Sequence, residues 1–300
     1  MAAGNVTTTT AANFIPELWG PEIRYFLRKK LIMANLVKRI NFVGKAGDTL
    51  HIPDLSELGT TAKSASTDVS FETFTETKFD LNIDKHFYAA FKVEDIAEVQ
   101  SFADLRAEYT RSAGYAMARK IDSTLHDLQS SMTRVIGGDG STSWSASAAS
   151  NAGNGTDLTE EGLRNALETL DLADVPKEDR YLVINPRQLN VLRGIARLSE
   201  MQTVGFSSPL VSGMFEMPVF GLRVLVTTNT ATITADDTTT DYDANLLFHK
   251  DAMILAMQKG VRTQAQYFVD SLAWKVVVDA IWGVGLYRSN HALVLVTPQA

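Results

Sequence analysis

The chain has 300 residues, 45% of them hydrophobic and 21% charged, with a formal net charge of −7 and no cysteine. At that length folding buries roughly 75% of the surface the unfolded chain exposes, so the fold needs no covalent staples. The missing thiols exclude disulfides, zinc ribbons, thiol nucleophiles and iron–sulfur clusters, and the acidic balance excludes a sequence-independent grip on nucleic-acid phosphates, which needs a basic surface.

Residues 1–13 are small, polar and Thr-rich, a composition expected to stay extended or mobile. They lack the basic and apolar regions of a signal peptide, and no apolar run approaches the ~20 residues that span a bilayer. A soluble protein made inside the cell is expected. From Pro16 the pattern turns helical through Leu18, Ile23, Phe26, Leu27, Leu31, Ile32 and Leu36, with a basic cluster at Arg28, Lys29 and Lys30 that reads as a solvated helix face. NFVGKAGDTLHIPDL (41–55) predicts a strand, a glycine-containing turn and a second strand with Leu50 and Ile52 on one face. From Gly59 to Ser66 the residues are Gly, Thr, Ser, Ala and one Lys, which is loop chemistry.

Strict alternation follows. Val69, Phe71, Phe79, Leu81, Ile83, Phe87, Phe91 and Val93 hold odd positions, while charged and polar residues fill most even ones as far as Glu94. A period of two is the signature of extended chain. At ~3.3 Å per residue this one would cover roughly 80 Å, so it must bend sharply or leave the body of the domain.

From Val93 the spacing changes to three and four, through Ile96, Val99, Phe102, Leu105, Tyr109, Ala113, Ala116, Ile121, Leu125, Leu128 and Met132. This predicts an amphipathic helix of about 35 residues, interrupted only by Gly114 and acting as a strut. A Gly/Ser/Ala/Asn-rich loop occupies 137–155. A helix then starts at an N-cap, Asp157 or Thr159, with Leu163, Leu167 and Leu170 as its stripe. RYLVINP (180–186) predicts a buried strand, and Pro186 opens a further helix. Residues 205–215 and 234–243 read as loops, 218–229 as a strand pair broken by glycine, and 244–258 as a strand with a following apolar segment. Two strands around Gly283 and Gly285 are expected to close the chain over 271–297.

A search for chemistry finds no catalytic, cofactor or metal site. His51, His86, His126, His249 and His291 are scattered and match no ligand spacing. Asp236, Asp237, Asp241 and Asp243 lack the frame of a calcium loop and read as a solvated turn. GGDGST (137–142) has no Lys-Ser/Thr after it and is not a phosphate-binding loop. Met253, Leu255 and Met257 read as core.

The order of elements resembles the tailed-bacteriophage (Caudoviricetes) major capsid proteins, whose fold is shared with encapsulin shells. TTTTAANFIPELWGPEI looks like the N-terminal arm. VGKAGDTLHIPDLSEL and VSFETFTETKFDLNIDKHFYAAFKVED look like two limbs of an extended hairpin, the E-loop. SFADLRAEYTRSAGYAMARKIDSTL looks like the spine helix. RYLVINPRQLNVLRG, GMFEMPVFGLRVLVTTNT and NLLFHKDAMILAMQKG look like the axial-domain core, and WGVGLYRSNHALVLVT like the closing strands. The likeness covers nearly the whole chain, without one diagnostic motif.

The resemblance implies an α+β chain with the phage major-capsid fold. Its segments would be an N-terminal arm and short helix (1–40), an E-loop β-hairpin (41–92) and a peripheral domain with the spine helix (93–155). An axial domain (156–265) and closing strands returning to the peripheral domain (266–300) would follow. It also implies a structural protein without enzyme activity or cofactors, self-assembling into hexamers and pentamers of an icosahedral shell. That shell would enclose double-stranded DNA without sequence-specific binding and without a membrane. Scaffolding and portal proteins, and decoration proteins in some members, would be further partners, with assembly in the host cytoplasm and residence in the virion capsid. Some members cross-link subunits through a Lys–Asn isopeptide bond. Lys63 lies near the E-loop tip, and no partner Asn or catalytic Glu follows from the sequence. An encapsulin-like compartment, another phage structural protein and an α/β enzyme stay open as alternatives.

Overall fold

The structure, a computed structural model, describes residues 31–41, 47–54, 60–66, 68–69, 71, 77–96, 105–141, 156–195, 218–234 and 241–299. The arm and basic cluster expected near the N-terminus, most of the 137–155 loop, residues 205–215, and Asp236 and Asp237 lie outside these.

A six-stranded sheet forms the larger body. Its order is β5 (Val135–Gly137), β12 (Ala292–Pro298), β9 (Asp241–His249), β6 (Arg180–Ile184) and β7 (Arg223–Val226). β8 (Ala231–Thr234) pairs with the first residues of β9, on the edge whose later residues β6 takes. Strand side chains alternate between faces, so Tyr242, Ala244, Leu246, Phe248, Ala292, Val294 and Val296 enter one core while Leu247, Leu293 and Leu295 enter another.

The second core is covered by α2 (Glu160–Asp171) and α3 (Pro186–Gly194). α2 begins where the Thr159 hydroxyl accepts the Gly162 N–H at 3.0 Å, with Glu160 and Glu161 against the positive end of the helix. α3 begins at Asn185, whose side chain accepts the Gln188 N–H at 2.8 Å, and Pro186 fills the first turn, where no N–H is needed.

The first core is covered by α1 (Leu105–His126), which buries Ala113, Met117, Ile121 and Leu125, a stripe at intervals of four. Each large side chain of that stripe contributes about 1.5–3 kcal/mol on burial. The described helix has 22 residues and passes into a 3-10 turn, Asp127–Ser131, before Met132 turns extended. The expected length of about 35 residues counted that turn and residues 97–104, which are not described. Spacings of three and four do not separate the two helix types.

The second sheet runs β1 (Lys38–Asn41), β10 (Met253–Phe268), β11 (Ala273–Leu286) and β4 (Lys85–Glu94). Helix α1 packs on it too, and Trp282 Nε1 donates to Thr124 Oγ1 at 3.2 Å. The third is a two-stranded arm, β2 (Thr49–Asp54) against β3 (Thr77–Asn82).

Two sequence expectations change. The long alternation is two strands in different sheets, β3 and β4, parted at Ile83–Asp84. It both bends and leaves the body. Leu81, before the bend, and Ile83, in it, face one small core, so the period of two carries into it. Second, β11 runs through Gly283 and Gly285, and the break comes at Tyr287–His291 instead. β10 and β11 share the four-stranded sheet, while β12 returns to the six-stranded one.

Candidate functional site: a projecting two-stranded arm

The arm is in register from Thr49 opposite Asn82 to Asp54 opposite Thr77. Its base is held firmly. Leu81, Ile83, Ile254 and Ala256 are buried together, and Ile40, Leu50, Ile52, Phe79, Ile281 and Tyr287 pack around them. Phe79 and Tyr287 meet edge to face at 5.4 Å, and Lys38 Nζ lies 5.5 Å from the Tyr287 ring centre. Ile83 N donates to Asp48 O at 2.7 Å, and Gln258 Nε2 donates to Gly47 O at 2.8 Å.

The two glycines of β11 make this crossing feasible. A Cβ on Gly283 would lie 2.4 Å from Asn82 O, and one on Gly285 would lie 2.7 Å from Leu81 Cδ1. At Gly283 the obstructing atom is backbone, so only hydrogen there lets β3 cross β11 at that distance, whereas at Gly285 the Leu81 and Phe79 side chains would have to shift.

Outward, the support disappears. Every described residue between 60 and 71 is exposed, Val69 to 59% and Phe71 to 92%. Lys63 is among them. Polar pairs line the arm: His51 hydrogen-bonds Asp80, and Lys78 Nζ lies 3.2 Å from the same carboxylate. The His51 hydrogen bond chiefly holds the Asp80 carboxyl below its usual range.

A second exposed apolar group lies at the far end of the β10–β11 hairpin. Val269 is 72% exposed and Leu272 61%, the latter in the left-handed region with φ 42°. Asp95 N donates to Leu272 O at 3.1 Å, which brings exposed Ile96 to the same end.

The histidines and aspartates separate under the structure. His86 Nε2 is 3.6 Å from Asp279, whose carboxylate takes both Arg262 Nε and a terminal nitrogen, at 2.7 and 3.0 Å. That guanidinium bond first of all holds the Asp279 carboxyl low. His126 is buried on α1, its Nε2 3.7 Å from Asp122. Asp122 is a residue that sequence reasoning missed. One oxygen accepts the Ile32 and Met33 N–H groups at 3.1 and 2.9 Å, and the other accepts Asn229 Nδ2 at 2.9 Å. It fastens the chain where it enters the described body. Nothing in a single sequence marks an acid on a helix as the cap of a distant turn. Asp243, expected in a solvated turn, is buried on β9, hydrogen-bonded by the Asn185 amide, and burial pushes its carboxyl up. His249 and His291 come together where the interior strands β9 and β12 of the larger sheet end and begin.

Met253 and Leu255 are buried and Met257 packs against the same core. Among the described residues no group of three or more His, Cys, Asp or Glu could hold a metal ion, and no described helix is long and apolar enough to cross a membrane.

A family model described as phage capsid protein matches residues 38–288. Among solved structures, one from Mycobacterium phage Che8 is 25% identical with a TM-score of 0.73, covering 94% of this chain and 97% of that one. The capsid of cyanophage P-SCSP1u shares 18% identity with a TM-score of 0.76, over 99% and 97%. That of cyanophage Pam1 shares 12% with a TM-score of 0.75, over 99% of each chain. No curated protein matches the sequence.

Proposed function

Since the chain belongs to the phage capsid protein family and is a major capsid protein that forms the virion shell, we propose that its arm is the part that joins one copy to the next. The family matched is a viral one, and so are the solved capsids, which favours the virion shell over the encapsulin compartment. The observation carrying the proposal is the contrast along the arm: a base locked over Gly283 and Gly285, and a tip whose Phe71 is 92% exposed. An isolated two-stranded hairpin is at best marginally stable in water, so the tip is completed by apolar surface from a neighbouring copy.

The copies form hexamers and pentamers through heterologous contacts that close by rotation, and these close in turn into an icosahedral shell around double-stranded DNA. The exposed end at Val269 and Leu272 is a second contact between copies. With a net charge of −7, the shell encloses DNA without gripping it. The role is structural and not catalytic. Assembly takes place in the host cytoplasm with scaffolding and portal proteins. In domain terms, the arm is the E-loop, α1 with the four-stranded sheet is the peripheral domain, and the six-stranded sheet with α2 and α3 is the axial domain.

Negative-stain microscopy of the purified chain tests this. The full chain is expected to give uniform polyhedral particles. A chain lacking residues 56–68 is expected to stay folded, by its thermal transition, and give none. Normal shells from the deletion would remove the arm from the assembly reading.

A further inference from the structure

Two chain segments pass between the six-stranded and four-stranded sheets and a third leads from the 3-10 turn after α1 into the larger one, and all three meet in one place. They are Met132–Arg134 before β5, Lys250–Ala252 between β9 and β10, and Tyr287–His291 between β11 and β12. Backbone bonds tie them: Tyr287 N and Arg288 N donate to Ala252 O at 2.8 and 3.1 Å, and Val294 N donates to Arg134 O at 2.9 Å. The Arg134 guanidinium donates to Asn290 O at 3.2 Å and Thr169 O at 3.0 Å. At this meeting point two buried imidazoles, His249 and His291, stand edge to face with centroids 5.7 Å apart.

Neither Nδ1 donates a hydrogen bond to a described residue. His249 Nδ1 accepts the Asp251 N–H at 3.2 Å, which requires that nitrogen to be bare. His291 Nδ1 is buried with no hydrogen-bond partner among the described residues. The charges facing His291 are mostly cationic, Arg288, His249 and Arg134 against Asp251, and an Asp251 oxygen also lies 4.0 Å from His249 Nδ1. Arg180, opposite His249 in the β6–β9 register, is paired with Asp171 at 2.7 Å. Lys250 reaches Asp179 through a backbone bond, its N–H donating to the carbonyl at 3.2 Å.

We propose that this junction is a pH-sensitive coupling between the two sheets, tight while His291, packed against His249, is neutral and loosened when it takes up a proton. It is a property of the single chain and does not depend on shell formation. Burial first, then the Arg288 and His249 charges, holds the His291 imidazole below the usual histidine range. A group so depressed binds protons more tightly unfolded than folded. Its stabilisation is therefore complete above the ordinary histidine value of ~6.5 and is lost as pH falls from there through the lower folded value.

The test is the thermal midpoint of the full chain from about pH 7.5 to about 5.5, either side of the ordinary histidine value. The wild type is expected to lose about 2–4 °C more than the double variant His249→Gln/His291→Gln. Arg288→Gln, at an exposed position, removes a like charge and is expected to shrink the loss. Hydrogen exchange corrected for its intrinsic pH effect locates the event: amides of Tyr287, Arg288 and Val294 lose protection before those of α2. Equal pH profiles in wild type and double variant would overturn the proposal. So would an Arg288→Gln profile as steep as the wild type, which decides alone if the double variant does not fold, or junction amides that open no earlier than α2.

Discussion

The base and the tip of the arm belong to one hairpin and are built on opposite principles. At the base, strand β3 lies on β11 so closely that Gly283 is needed beneath Asn82, and Leu81 is all but removed from solvent. At the tip, ten described residues are all exposed. A chain that wanted only stability would not separate its apolar residues in this way. The base fixes the direction of the arm, and the tip keeps its apolar contacts for another molecule.

The largest effect should come from Leu81→Ala, which empties the small core beneath the arm and is expected to cost about 2–5 kcal/mol in chemical denaturation. A loss under one kcal/mol would mean that the base is not locked. Gly283→Ala comes next: its Cβ would meet Asn82 O, a backbone atom that cannot swing aside. Strain of about 1–3 kcal/mol is expected, with the arm displaced. Phe71→Ser should be smallest in the subunit, within about 0.5 kcal/mol of wild type, yet it should sharply reduce shell formation by microscopy. Reversal of that order, with the tip governing stability and the base governing assembly, would break the comparison.

Much of this was legible in local residues. Alternation showed both limbs of the arm, Thr159 took the cap that it shared with Asp157 as a candidate, Pro186 opened its helix, and the stripe of α1 was visible at Ala113, Ile121 and Leu125, although buried Met117 stands where exposed Ala116 was expected. What stayed hidden is non-local. Gly283 and Gly285 looked like strand breaks because their real neighbour, β3, is some two hundred residues away. The outer half of β10 showed no alternation because Gly260 to Gln266 is exposed on both faces. His249 and His291 drew no attention because each is unremarkable alone.

The place of β12 has a consequence in time. It sits inside the larger sheet, between β5 and β9, yet it is synthesised after every other described strand. At ~5–20 residues per second, β5 waits on the order of ten seconds for the strand that separates it from β9. The ribosome therefore acts as a clock. Until β12 has been made, the nascent chain has a sheet with its middle missing and cannot yet offer a finished surface to its siblings on the same polysome.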